Sequence, residues 1–140
     1  MFTHSLHQVG EGDRWQMVWA RYRGPPGAAP VIHKDNWRMH QALVTYMSDF
    51  HMVNTIMQPH ARKHQNFSLV MSLDHALHFH HAVDATSWLL FHIETNASAG
   101  ARGLARADVF SPAGIILASI TQEGLIRVPR SDSVKLAPKL

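Results

Sequence analysis

At 140 residues the chain has room for one core, and a second domain carved from it would be too small to bury its own. With 46% hydrophobic and 16% charged residues, it is too apolar for disorder and too sparsely charged for a nucleic-acid tail. Thirteen bases against ten acids leave a formal charge of +3, which singles out no polyanionic partner.

Cysteine is absent, which excludes disulfides, thiol nucleophiles and thiolate metal sites together. The longest apolar-rich run, 113–120, is far too short to span a bilayer. Residues 1–10 have neither the charged lead nor the apolar core of a signal peptide. The expectation is a soluble, intracellular single domain over 1–140.

Residues 1–13 are polar, contain histidine and show no period, so they read as an N-terminal segment outside the regular elements. From Trp15 to Arg23 the side chains alternate. Trp15, Met17, Trp19 and Arg21 fall on one side and Gln16, Val18, Ala20 and Tyr22 on the other, which predicts a strand. Three prolines and two glycines in 24–30 then force a loop.

A helix is predicted over 36–57, with Asp35 or Asn36 as the N-cap and Pro59 as the stop. It carries two adjoining stripes: Met39, Leu43, Met47, Phe50 and Asn54, then Ala42, Tyr46, Asp49, Val53 and Ile56. Such a helix is expected to be buried round most of its circumference. Asp49 is out of place among apolar neighbours unless something pairs with it.

Beyond Phe67 the period changes to two. Phe67, Leu69, Met71, Leu73, Leu77 and Phe79 share one face, interrupted by His75, and Ser68, Ser72, Asp74, His78 and His80 share the other. Further strands are expected over 87–95, 101–110 and 115–128, with a flexible tail over 129–140. The odd face of 101–110 is nearly all small (Ala101, Gly103, Ala105, Ala107), which allows the helix to approach closely. An antiparallel meander follows, curled round one long apolar helix: an α+β hot-dog arrangement.

Twelve histidines invite a metal reading, and His75, His78, His80 and His81 crowd one strand. Neighbours along a strand converge poorly on one ion and no HExxH spacing occurs, so no metal is expected. Gln122 stands on the apolar face of the last strand with Ile116, Ala118, Ile120, Gly124, Ile126 and Val128. Taken alone it reads as a core glutamine satisfied by backbone groups, and Asp49 alone as a carboxylate capping a neighbouring backbone or pairing with an arginine such as Arg102. Two misplaced polar side chains on elements expected to pack together allow a shared site, the carboxylate accepting a proton and the amide orienting water or an oxyanion. Alternation puts Ser72 on the polar face, with no nucleophile elbow around it; a bulge near Asp74 would turn it inward.

Several ordered stretches carry a resemblance. They are Thr45-Tyr46-Met47-Ser48-Asp49-Phe50, Ser72-Leu73-Asp74-His75-Ala76-Leu77-His78-Phe79-His80, Trp88-Leu89-Leu90, Ala101-Arg102-Gly103 and Thr121-Gln122-Glu123-Gly124-Leu125-Ile126-Arg127. From about Trp15 to Arg127 the chain resembles the C-terminal hot-dog of type II acyl-CoA thioesterases, the TesB-like family. The resemblance implies hydrolysis of fatty acyl-CoA to free fatty acid and CoA, with Asp49, Ser72 and Gln122 as the catalytic group orienting a water. It implies no cofactor, CoA entering only as part of the substrate.

Members of that family usually carry two hot-dogs, so a homodimer or a second hot-dog chain is expected here, with no nucleic-acid partner and no membrane span. His81-Ala82-Val83 stands where relatives commonly have proline, and Phe50-His51-Met52-Val53-Asn54 is more polar than the usual run; both touch the expected acyl pocket. Two other readings are an acyl-thioester hydratase or dehydratase using histidine with a carboxylate, and a non-catalytic binding or assembly module. The ending Ala137-Pro138-Lys139-Leu140 approaches Ser-Lys-Leu, giving a peroxisomal expectation with a cytoplasmic alternative.

Overall fold

The computed structural model describes residues 3–11, 14–29, 31–61 and 66–127; the expected tail, 129–140, and its terminal tetrapeptide lie outside them. The elements are β1 (Thr3–Glu11), β2 (Trp15–Gly24), α1 (Trp37–Ala61), β3 (Leu69–Ser72), β4 (Ala76–Phe79), β5 (Leu89–Ala99), β6 (Arg102–Phe110) and β7 (Ile116–Arg127). All strands join one antiparallel sheet in the order β1-β2-β5-β6-β7-β3, with β4 also on β7. The result is an α+β hot-dog, one helix lying in the curve of one sheet.

The sheet's inner face is set by alternation. Val18 and Ala20 of β2, Leu89, Phe91 and Ile93 of β5, Ala105, Ala107 and Val109 of β6, and Ala118, Ile120 and Ile126 of β7 are all buried there. Small residues on β6 let α1 settle closely. A Cβ at Gly103 would collide with Cγ2 of Ile56, and one at Gly124 would stand 3.3 Å from Cδ1 of the same isoleucine.

Asn36 caps α1 as expected: its Oδ1 accepts the Met39 N–H at 3.2 Å, and its backbone carbonyl accepts the His40 N–H at 3.2 Å. Pro59 does not stop the helix, which runs on to Ala61. The carbonyl that Pro59 cannot serve is that of Thr55, four residues back, and it accepts the Thr95 hydroxyl of β5 at 2.7 Å instead.

The expectation of burial all round the helix fails. His40, Leu43, Val44, Met47, Ser48, Met52, Thr55 and Ile56 are buried, whereas Met39, Ala42, Tyr46, Asp49 and Phe50 form an exposed stripe. One sheet covers one side of a helix, and it divides both predicted stripes: Leu43, Met47 and Ile56 are covered while Met39, Tyr46 and Phe50 are left open.

Three strand readings are also corrected. The expected meander holds only for β5-β6-β7, since the segment from Phe67 pairs with β7 and β2 takes the place beside β5. Residues 3–11, read as lacking an element, form β1 on β2; the ladder skips Val9, and that irregularity removes the two-residue period. The single strand expected from Phe67 is broken into β3 and β4. Ser72 pairs with Gly124 but Ala76 with Thr121, so three residues on one side face two on the other. The extra residue switches parity: even positions point inward before it and odd positions after it.

The contact between Gly103 and Ile56 makes a direct prediction. Gly103→Ala is expected to destabilise the fold by about 1–3 kcal/mol in thermal or denaturant unfolding, since a β-branched helical side chain has little freedom to move aside. Combined with Ile56→Ala, the loss should be smaller than the sum of the two single losses.

Candidate active site

The parity switch turns Ser72 toward the helix. Gln122 of β7 faces the same way and is fully buried. Its Nε2 donates to Asp49 Oδ1 at 2.8 Å and to Ser72 Oγ at 2.6 Å, and the Ser72 hydroxyl lies 3.5 Å from Asp49 Oδ1. All three residues proposed from sequence therefore meet, drawn from α1, β3 and β7. Because the carboxylate only accepts, the amide must present its nitrogen to Asp49. The remaining Oε1 is buried with no hydrogen-bond partner among the described residues.

The bland readings of these residues do not survive. Arg102 reaches Glu123 at 3.4 Å on the sheet, and not Asp49. The glutamine that the core satisfies through the main chain is Gln16, whose Nε2 donates to the His51 carbonyl at 2.9 Å and to the Thr55 hydroxyl at 2.5 Å. Gln122 instead spends both N–H groups on side chains.

Asp49 and Ser72 open onto a cleft of about 410 Å³ lined also by Tyr46, Phe50 and His75, with Gln122 buried behind them. Tyr46 and Phe50 pack edge to face with ring centroids 5.2 Å apart and give the cleft an aromatic wall beside the carboxylate. Sequence reasoning missed this wall by assigning both rings to a buried helix. It also passed over His75, whose Nε2 lies 3.0 Å from Ser48 Oγ. The signal was present, as His75 alone interrupted the apolar face.

The other histidines of that segment do not gather with it. His80 Nε2 lies 3.0 Å from Ser119 Oγ on the far side of the sheet, and among the described residues no three His, Asp or Glu side chains come together as metal ligands would.

A hot-dog layer in which a helix carboxylate, a strand hydroxyl and a buried strand amide share hydrogen bonds defines the class. The chain belongs to the acyl-CoA thioesterase family, which it matches over residues 3–125. It is 41% identical over 91 residues to acyl-CoA thioesterase 2 of Haemophilus influenzae, covering 64% of this chain and 32% of that protein. Against human acyl-coenzyme A thioesterase 8 it is 33% identical over 132 residues, covering 94% of this chain and 39% of the other. The crystal structure of acyl-CoA thioesterase II TesB2 from Mycobacterium marinum superposes with a TM-score of 0.73 at 29% identity, over 91% of this chain and 50% of that one. The chain thus spans half or less of the length of these proteins.

The geometry predicts how the fold treats Gln122. A glutamine kept for stability would be costly to replace, but this one buries an unsatisfied carbonyl. Gln122→Leu, of similar volume, should leave the unfolding free energy within about 1 kcal/mol of the native value or raise it. Equilibrium denaturation measures this.

Proposed function

We propose that the chain is a hydrolase of fatty acyl-CoA, releasing free fatty acid and CoA by direct attack of water. The observation that carries the reading is the buried Gln122 amide bonded at once to Asp49 and Ser72. The names of the relatives in its family support the same substrate class.

In this mechanism Asp49 accepts a proton from a water held between its carboxylate and the Ser72 oxygen. The Gln122 amide, with both N–H groups engaged, keeps those two side chains in place. The water oxygen bonds to the thioester carbonyl carbon, and the Ser72 hydroxyl, only loosely engaged with Asp49 at 3.5 Å, turns to donate to the oxygen as charge develops. The tetrahedral intermediate collapses with cleavage of the carbon–sulfur bond. CoA leaves as thiolate and recovers the proton held by Asp49. The aromatic wall of Tyr46 and Phe50 receives the apolar part of the substrate. A hydratase built on histidine and carboxylate is less well supported, because His75 bonds Ser48 and not Asp49.

The proposal includes a second hot-dog layer. Tyr46 and Phe50 on α1 are 47% and 41% exposed, and edge strand β3 leaves Leu69, Val70 and Met71 between 36% and 45% exposed. The open helix stripe and the open edge adjoin the cleft, so a second copy seated there would enclose the thioester and cover apolar surface together.

Free-thiol release from acyl-CoAs of increasing length tests the chemistry. Turnover is expected, with kcat reduced at least about 100-fold in Asp49→Ala. Absence of turnover from a folded, dimeric protein would favour the non-catalytic module. Light scattering during size exclusion is expected to give the mass of two chains, and a monomer at micromolar concentration would refute the homodimer.

A further inference from the structure

We infer that Asp74 and His75 are positioning residues, holding the irregularity between β3 and β4 that turns Ser72 toward Asp49 and Gln122. The kinetic part of this inference rests on the hydrolase reading; the structural part does not.

The sequence of this segment favours a different register. Continuing the β4 ladder without interruption from Ala76 opposite Thr121 would set Leu73 opposite Gly124 and Met71 opposite Ile126. Leu69, Met71, Leu73, Leu77 and Phe79 would then share the inner face, and Ser72 would point away from the site. The observed register does the reverse, leaving Leu69, Met71 and Leu73 36%, 45% and 44% exposed. The alternation of Leu69, Met71 and Leu73 with Leu77 and Phe79 therefore favours the slipped register over the one that brings Ser72 to Gln122. Something local must oppose the slip.

Two side chains inside the irregularity supply that resistance. Asp74 Oδ1 accepts the Glu123 N–H at 2.7 Å, taking the place of a ladder carbonyl, while the Glu123 carbonyl accepts the Leu73 N–H at 2.8 Å. On the other side His75 Nε2 meets Ser48 Oγ at 3.0 Å. The Ser48 hydroxyl donates its one hydrogen to the Thr45 carbonyl at 2.7 Å, so the ring nitrogen is the donor in this pair. Glu123 follows Gln122 and Ser48 precedes Asp49. Each tie thus lies one residue from a side chain of the site and fixes the irregularity to both elements that bear the other two.

The test uses the full chain with His75→Leu, His75→Gln, Asp74→Ala, Asp74→Asn and Ser48→Ala. Glutamine retains a donor near the Nε2 position, and asparagine retains the Oδ1 acceptor. Expected for His75→Leu and Asp74→Ala is a kcat about 10- to 100-fold lower with KM within about twofold, largely restored in His75→Gln and Asp74→Asn. Ser48→Ala combined with His75→Leu should be no slower than the worse single variant. A second readout needs no turnover: the Gln122 side-chain amide protons, followed by nitrogen-15 NMR, should exchange at least tenfold faster in His75→Leu and Asp74→Ala.

Native kcat in both of these variants, or His75→Gln as slow as His75→Leu, would overturn the inference. If the native chain hydrolyses no acyl-CoA, the hydrolase reading fails and the exchange measurement alone decides; unchanged Gln122 exchange then overturns the positioning role.

Discussion

A helix can lie this close to a sheet only where the sheet presents almost no side chain. Gly103, Ala105 and Ala107 provide that strip on β6, and Ile56 settles against it. The site depends on the same strip. Gln122 stands directly opposite Ala105 in the β6–β7 ladder, so a long amide has room beside a methyl group to cross from the sheet to Asp49 on the helix. A larger residue at 105 would compete with the amide for that room, and a more distant helix would put the carboxylate out of reach.

Polar groups in this core fall into two kinds. Gln16 and Thr95 attach the C-terminal half of α1 to β2 and β5 through the His51 and Thr55 carbonyls and the Thr55 hydroxyl. Gln122, Ser72 and Asp49 are bonded mainly to one another, at the boundary where one layer of structure ends. Their arrangement leaves a buried amide carbonyl without a partner among the described residues, which a structure selected for stability alone would avoid.

Much of this was legible in the sequence because two periods carried it. The odd face of 101–110 announced a close helix approach, and the misfit of Asp49 and Gln122 against their stripes marked two of the three side chains that meet. Ser72 was legible only through the resemblance, since its orientation depends on one extra residue that alternation has no means of registering. β1 was hidden for the same reason, its ladder skipping Val9. The helix was judged too buried because a stripe of Met39, Ala42, Tyr46 and Phe50 looks the same whether the chain covers it or leaves it open. Composition records that a surface is apolar and says nothing of which molecule will cover it.

The Thr55 carbonyl bears on how the chain acquires its structure. Local sequence favours helix only up to the turn before Pro59, because the next carbonyl lacks its donor until Thr95 arrives from a strand forty residues downstream. The last turn of α1 therefore depends on docking against β5 for the bond that helix propagation would otherwise supply at Thr55. It and the middle of β5 should form late and open together, so the end of the helix furthest from its cap behaves as part of the sheet's cooperative unit.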